Sequence, residues 1–243
     1  MAVSIAFAIL ILMTVFSHSG FQSLRQKKWD DWILDLTGLI VQGILIPFLQ
    51  LTLVYKLYAY CLPLLKGSLA IDPAIAFLLS FVVVDYLYYW NHRLLHTRSI
   101  WHLHMVHHTV TTMDVLGTSR NTVWTSFLIV YLWVHALLIF LLQDPFWYVV
   151  GVSLTSILDL WRHSEFNPNP KGWLYPLLDR WLMLPQDHAW HHADQDISAN
   201  FGANFKLWDR LHGTYSKIDR HPTSLGIETD LTLMQKLLYP TRT

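Results

Sequence analysis

The sequence predicts an all-α integral membrane protein: a helical bundle of about four to five transmembrane helices with a cytoplasmic helical cap. Three observations carry this expectation. Hydrophobic residues make up 53% of the 243-residue chain and charged residues only 14%, about half the charged fraction of soluble domains. Five apolar stretches approach the length of a bilayer span. Most of the positive charge falls on one side of them. Lys+Arg and Asp+Glu balance at 17 each, which argues against a nucleic-acid binder.

Residues 2–17 (AVSIAFAILILMTVFS) form the first stretch, slightly short for a full span. No basic region precedes it and no small-residue cleavage site follows, so it reads as an anchor and not a signal peptide. It either spans the bilayer or lies at its surface. The second stretch covers about 33–55, the third 73–90 and the fourth 122–142. The fifth, about 145–160, follows the break QDP at 143–145, which predicts a hairpin with the fourth. A crossing helix needs about 20 apolar residues, so the first, third and fifth either stand with little tilt or reach only partly across. The 12 Trp, 11 Tyr and 12 Phe suit membrane interfaces. With no internal repeat and no low-complexity linker, the chain reads as one membrane domain, 1–243. Further on, WLYPLLDRWLML (173–184) sets Leu and Trp around Asp179 and Arg180, as an interfacial helix or a helix packed on the cap would.

Charge gives an orientation. The loop 18–32 carries Arg25, Lys27 and Lys28. If it is cytoplasmic, so are 91–121 and everything after 161. That arrangement leaves 15 of the 17 Lys and Arg inside and only Lys56 and Lys66 outside. It also puts the amino terminus outside and the carboxy terminus in the cytoplasm. No KDEL-type signal precedes the YPTRT end, so a bacterial inner membrane fits and an organellar one stays open.

Nine of the 14 histidines fall into groups. His92 and His96 lie in NHRLLH, His104, His107 and His108 in HMVHH, His188, His191 and His192 in HAWHH, and His163 in LWRHSEF. Positions three and four apart project from one helical face, so each cluster can aim its imidazoles at one point. Buried imidazoles with nothing to bind are costly. On the cytoplasmic assignment all groups share one side of the membrane. The expectation is a histidine-rich metal site in the cap. Nine imidazoles exceed the capacity of one ion and suit two with four or five ligands each. Imidazole serves Zn, Cu, Fe and Ni alike. The single Cys61 rules out an internal disulfide and a cysteine-based zinc site, and without HExxH a zinc protease lacks its general base.

The series HRLLH, WHLHMVHH, HAWHH and NFGANFKLWDRLHGTY resembles the fatty acid hydroxylase/sterol desaturase superfamily over about residues 77–216. The resemblance implies an integral membrane enzyme that uses O2 and two histidine-held iron ions on a lipid. It carries over His92, His96, His104, His107, His108, His163, His188, His191 and His192 as catalytic metal ligands. Zinc is a possible replacement in purified protein. His212 stands where the family tail often has phenylalanine, and His102 is an extra histidine beside the second motif. Supporting hydrogen bonds to the ligands are expected from Asp85, two turns before His92, and from Asp159, four residues before His163. Asp187, Asn200 and Asp209 are further candidates, and Asp187 reads equally well as a helix cap. His135, inside the fourth stretch, is expected to make a helix–helix hydrogen bond.

The implied reaction is hydroxylation of a C–H bond in a fatty acyl, sterol or related lipid. Two electrons must come from an external donor of reductase, ferredoxin or cytochrome b5 type, because the chain has no GxGxxG, CxxCH or HPGG motif. Desaturation by the same site, an aldehyde-forming oxygenase and a carotenoid hydroxylase are the alternatives among enzymes. A histidine-rich metal transporter is the alternative outside them, but transport sites sit near the bilayer midplane and these clusters lie beyond the apolar stretches.

Overall fold

The structure is a computed structural model, which describes residues 1–194, 198–218 and 220–240. Residues 241–243 of the YPTRT end lie outside the described residues. Among those described, the architecture is all-helical, with isolated bridges in place of strands.

Helix α1, Ala2–Phe16, is apolar along its length. It stops at Ser17, whose extended backbone and side chain cap the next helix by accepting the Gly20 N–H at 3.3 Å. Helix α2, His18–Gln26, therefore leaves at 92° to α1. Helix α3, Trp29–Cys61, has 33 residues, about 50 Å at 1.5 Å per residue, longer than a hydrocarbon core of about 30 Å. Its first turns carry Asp30, Asp31 and Asp35 and pack on protein. Two wide π turns, Val41–Leu45 and Gln50–Val54, flank Pro47, which has no N–H for the helical ladder.

Helix α4, Pro73–Leu95, starts where Asp72 accepts the Ala74 N–H at 2.8 Å and Pro73 supplies a preset first turn. Helices α5, Val130–Leu141, and α6, Phe146–Arg162, follow. The expected helix–helix bond of His135 joins them, Nδ1 to Tyr148 Oη at 2.7 Å. Gly151 lets α6 cross α4 closely, since a Cβ there would collide with Ser80.

Helices occupy all five apolar stretches, but among the described residues only α3 and α4 are long and apolar enough to cross a membrane, with α1–α2 a third if taken as one bent span. The fourth stretch loses its first turns to local chemistry. Thr122, Thr125 and Ser126 are buried, Thr125 Oγ1 donates to the Leu103 carbonyl, and α5 begins only at Val130. Residues Thr125–Leu128 make a single helical turn that ends at the extended backbone of Ile129.

The cap contains α7, Tyr175–Trp181, α8, Pro185–His191, α9, Leu207–Leu211, and α10, Leu233–Leu238. Around α7, Trp173 and Leu177 are exposed, as an interfacial segment requires. Leu34 of α3 packs with Met105 and Val106, and Leu233 and Leu237 of α10 close over them. That cluster fixes the 101–108 segment against α3.

Candidate metal centre

The structure brings the nine grouped histidines together in two sets. His92, His96, His104, His108 and His191 form one; His107, His163, His188 and His192 form the other. Within each set the candidate ligand atoms lie within 4.8 Å of one another. In the first, His92 Nε2 is 3.1 Å from both His104 Nε2 and His191 Nε2. In the second, His163 Nε2 is 3.3 Å from His107 Nε2 and 2.9 Å from His188 Nε2, and His192 Nε2 is 3.1 Å from His188 Nε2. An ion about 2.1 Å from each of two nitrogens at a right angle holds them about 3.0 Å apart. The sets adjoin, with the His108 and His192 rings 4.5 Å apart.

Four rings have their outer nitrogen fixed by the backbone. Nδ1 of His92 donates to the Phe201 carbonyl at 2.8 Å, His107 to Arg120 at 3.1 Å, His163 to Asp159 at 2.8 Å and His191 to Ala199 at 2.7 Å. A carbonyl can only accept, so each Nδ1 carries the proton and each Nε2 offers a lone pair. His92 and His191 thus face each other lone pair to lone pair, and so do His107 and His163. Nε2 of His96 and of His108 is buried with no hydrogen-bond partner among the described residues. A cation in each set satisfies these atoms, so the residues fit two metal ions.

Three of the four carbonyls are placed by devices of their own. Asn200 adopts a left-handed backbone, φ 59°, which asparagine tolerates better than most residues. Its side chain donates to the Asp187 and Ser216 carbonyls at 3.0 and 3.1 Å, and the turn delivers Ala199 to His191. Asp209 accepts the Phe201 and Gly202 N–H groups at 2.8 and 2.7 Å, holding Phe201 over His92. Arg120 is anchored by Asp35 and Asp31, both at 2.6 Å, and a Cβ on Gly38 of α3 would collide with the neighbouring Ser119 carbonyl.

Trp101 and Phe201 wall the first set: Trp101 lies 4.9 Å from His96 and 5.0 Å from His108, and Phe201 lies 5.0 Å from His96 and 5.5 Å from His191. Burial pushes the imidazoles of His104, His107, His108, His188 and His192 well below the usual histidine range, and His191 down to about 4. Neutral rings are the form that binds metal.

Of the five expected supporting residues, Asp159 reaches a ligand itself, with its carboxylate 3.3 Å from His163 Nδ1. Asp209 and Asn200 act through the carbonyls described above. Asp85 clamps the tail to α4, accepting Asn204 N–H at 2.8 Å and Trp208 Nε1–H at 2.6 Å. Asp187 caps α8 through the Leu184 N–H at 2.9 Å and pairs with Lys206 at 2.8 Å. His102 belongs to neither set, and His212 stacks on Tyr89 at 5.2 Å. The Asp31–Asp35–Arg120 network was not among the sequence expectations. Its readable signal is Asp35, a carboxylate inside the second apolar stretch.

A cavity of about 480 Å³ lies between α1, α3, α5 and α6, with Tyr88, Asp159 and Arg162 at its polar end. That end adjoins both sets, because Tyr88 packs on His92 at 5.5 Å and Asp159 contacts His163.

Comparison with known proteins gives several relatives by sequence. The chain is 30% identical over 148 residues to alkylglycerol monooxygenase of Danio rerio, covering 60% of this chain and 31% of the relative. It is 28% identical over 155 residues to an ornithine lipid hydroxylase of Rhizobium tropici, covering 61% and 44%. A putative methylsterol monooxygenase of Dictyostelium discoideum is 24% identical over 230 residues, covering 89% and 82%. The match thus spans less than half the length of the first two relatives and most of the third. No solved structure gives a significant match. The fatty acid hydroxylase family pattern fits residues 77–214, more than half the chain and the stretch that holds all nine histidines, and the chain belongs to the fatty acid hydroxylase family.

Proposed function

We propose that the chain is a membrane-bound lipid hydroxylase with two iron ions at its histidine sets. His92, His96, His104, His108 and His191 hold one ion; His107, His163, His188 and His192 hold the other. The observation that carries this reading is one Nε2–Nε2 lone-pair contact in each set, at 3.1 and 3.3 Å. When bound, the iron supplies the reduction of O2, so that a C–H bond, O2, two electrons and two protons give C–OH and water. The electrons come from an external carrier of reductase, ferredoxin or cytochrome b5 type.

The chain's own residues do the rest. The backbone carbonyls of Phe201, Arg120, Asp159 and Ala199 hold four imidazoles in the binding tautomer. Trp101 and Phe201 keep water from the first set. The cavity between the helices takes a lipid chain from the bilayer and holds its reacting carbon at the polar end, where positioning decides which bond reacts. The names of the relatives, two monooxygenases and a hydroxylase of lipids, support oxygen insertion. Sidedness follows the charge: the site faces the cytoplasm.

Metal analysis tests this. Protein purified in mild detergent without chelators from iron-supplemented cells should carry about two irons per chain, lost together in His107→Ala or His191→Ala. Oxygen-18 from O2 should appear in an alcohol product. A folded chain without metal overturns the proposal, and an alkene without label makes it a desaturase.

A further inference from the structure

The cavity beside the metal sets has apolar side chains on part of its wall and unpaired polar groups among the rest. Arg162, the last residue of α6, is 4% exposed. Its Nη2 donates to Asp159, while its Nε and Nη1 have no hydrogen-bond partner among the described residues. Tyr131 Oη and Ser126 Oγ are buried without partners as well. These three side chains come from α6, from α5 and from the turn before α5, yet all line the one cavity. Buried polar groups are nearly always paired, and an unpaired one is costly. Three residues with spare donors in one chamber mark a place for an oxygen acceptor.

We propose that this cavity binds a lipid through a neutral oxygen group, a hydroxyl, ether or carbonyl, seated on Arg162, Tyr131 and Ser126. Its hydrocarbon lies against Phe7, Leu39, Ile46, Leu132 and Leu160. The acceptor is neutral because Asp159 already offsets the guanidinium. A carboxylate would add a second negative charge beside Asp159. The seat lies near the histidine sets. Tyr131 stacks on Tyr88 at 4.8 Å, Tyr88 packs on His92 at 5.5 Å, and Arg162 adjoins His163 in sequence. A lipid seated by its oxygen at these residues has its polar group on the side of the cavity that adjoins the histidine sets. That the ligand is the substrate rests on the hydroxylase reading; the binding preference does not.

The experiment is equilibrium binding of tritiated 1-dodecanol to the full chain in phosphatidylcholine nanodiscs, with empty nanodiscs subtracted. Competitors are dodecane, dodecyl methyl ether and dodecanoate at pH 8. The alcohol and the ether should compete at least tenfold better than dodecane or dodecanoate. Arg162→Met also strips Asp159 of its pair and endangers folding, so the Tyr131→Phe/Ser126→Ala double variant carries the test. It keeps both shapes and removes two donors, and should cut the advantage of dodecanol over dodecane to threefold or less. Equal binding of dodecane and dodecanol, preference for dodecanoate, or an undiminished preference in the double variant overturns the proposal. Selective binding in a chain that inserts no oxygen-18 counts against the hydroxylase reading alone.

Discussion

His92 and His191 point their Nε2 atoms at each other across 3.1 Å, and each has committed its one N–H to a backbone carbonyl. Two lone pairs at that distance repel unless a cation lies between them. His107 and His163 repeat the arrangement at 3.3 Å. Helical spacing brings histidines to one face, but it does not fix their tautomers. The carbonyls do that, and they turn a cluster of rings into two directed sets.

Metal removal should therefore destabilise the fold. Each ion present at 100 times its dissociation constant stabilises the native state by about 2.7 kcal/mol. At about 2–4 °C per kcal/mol for a chain of this size, stripping both ions should lower the melting temperature by roughly 10–20 °C. Adding Fe(II) back should restore it. An unchanged melting curve after complete chelation would show that the sets do not need a cation.

The Arg120 anchor should tune one set and spare the other. Arg120 Nη1 bonds Asp31 and its Nε bonds Asp35, and its own carbonyl orients His107. Arg120→Lys cannot span both carboxylates. Losing such outer support typically costs about 10–100-fold in metal affinity. Timed release of iron to a chelator should show one ion of the two leaving faster. Conversely, equal acceleration of both would mean general loosening of the cap, and no change would mean that Arg120 does not position His107.

The bundle and the nine-histidine constellation were legible in the sequence because apolar run length and helical spacing are local signals. What turned out illegible was non-local. The carbonyls of Phe201, Ala199 and Arg120 carry no residue signature, since every residue has one. Residues 122–129 read as the start of a span by hydropathy, but the extended backbone of Ile129 separates the short turn Thr125–Leu128 from α5, and Thr125 ties that turn to the Leu103 carbonyl. Asp85 stands at plausible spacing from a motif histidine, yet it clamps the tail, while Asp187 takes the cap role, one of the two readings its position allowed. Sequence distance along a helix gives the face, not the partner.

Gly38 offers a test of how closely α3 approaches the loop that carries Arg120. A Cβ at this position would run into the Ser119 carbonyl, whereas one at Gly43 meets nothing within 4 Å. Gly38→Ala should destabilise by about 1–3 kcal/mol through overpacking. Gly43→Ala should stabilise by about 0.5–1 kcal/mol, because alanine favours a helix interior. Chemical or thermal unfolding of the two variants checks the contrast, and the same sign in both would mean that the α3 approach to Ser119 is loose.

Acid should empty the site and weaken the fold together. Unfolded histidine titrates near 6.5, while burial holds His191 at about 4 and His104, His107, His108, His188 and His192 well below the usual range. Folded values below the unfolded one mean that the unfolded chain binds more protons as pH drops. Stability is then fully present above about pH 6.5 and is lost progressively as the pH falls toward the folded values. Bound iron deepens the effect, since each proton that takes an Nε2 lone pair removes a ligand. Several rings per ion make the loss cooperative. Iron retained after chelator treatment should be flat from pH 8 to about 6.5 and then fall with a slope of more than one proton per ion. Retention down to pH 4, or release that begins above pH 7.5, would contradict control by buried neutral imidazoles.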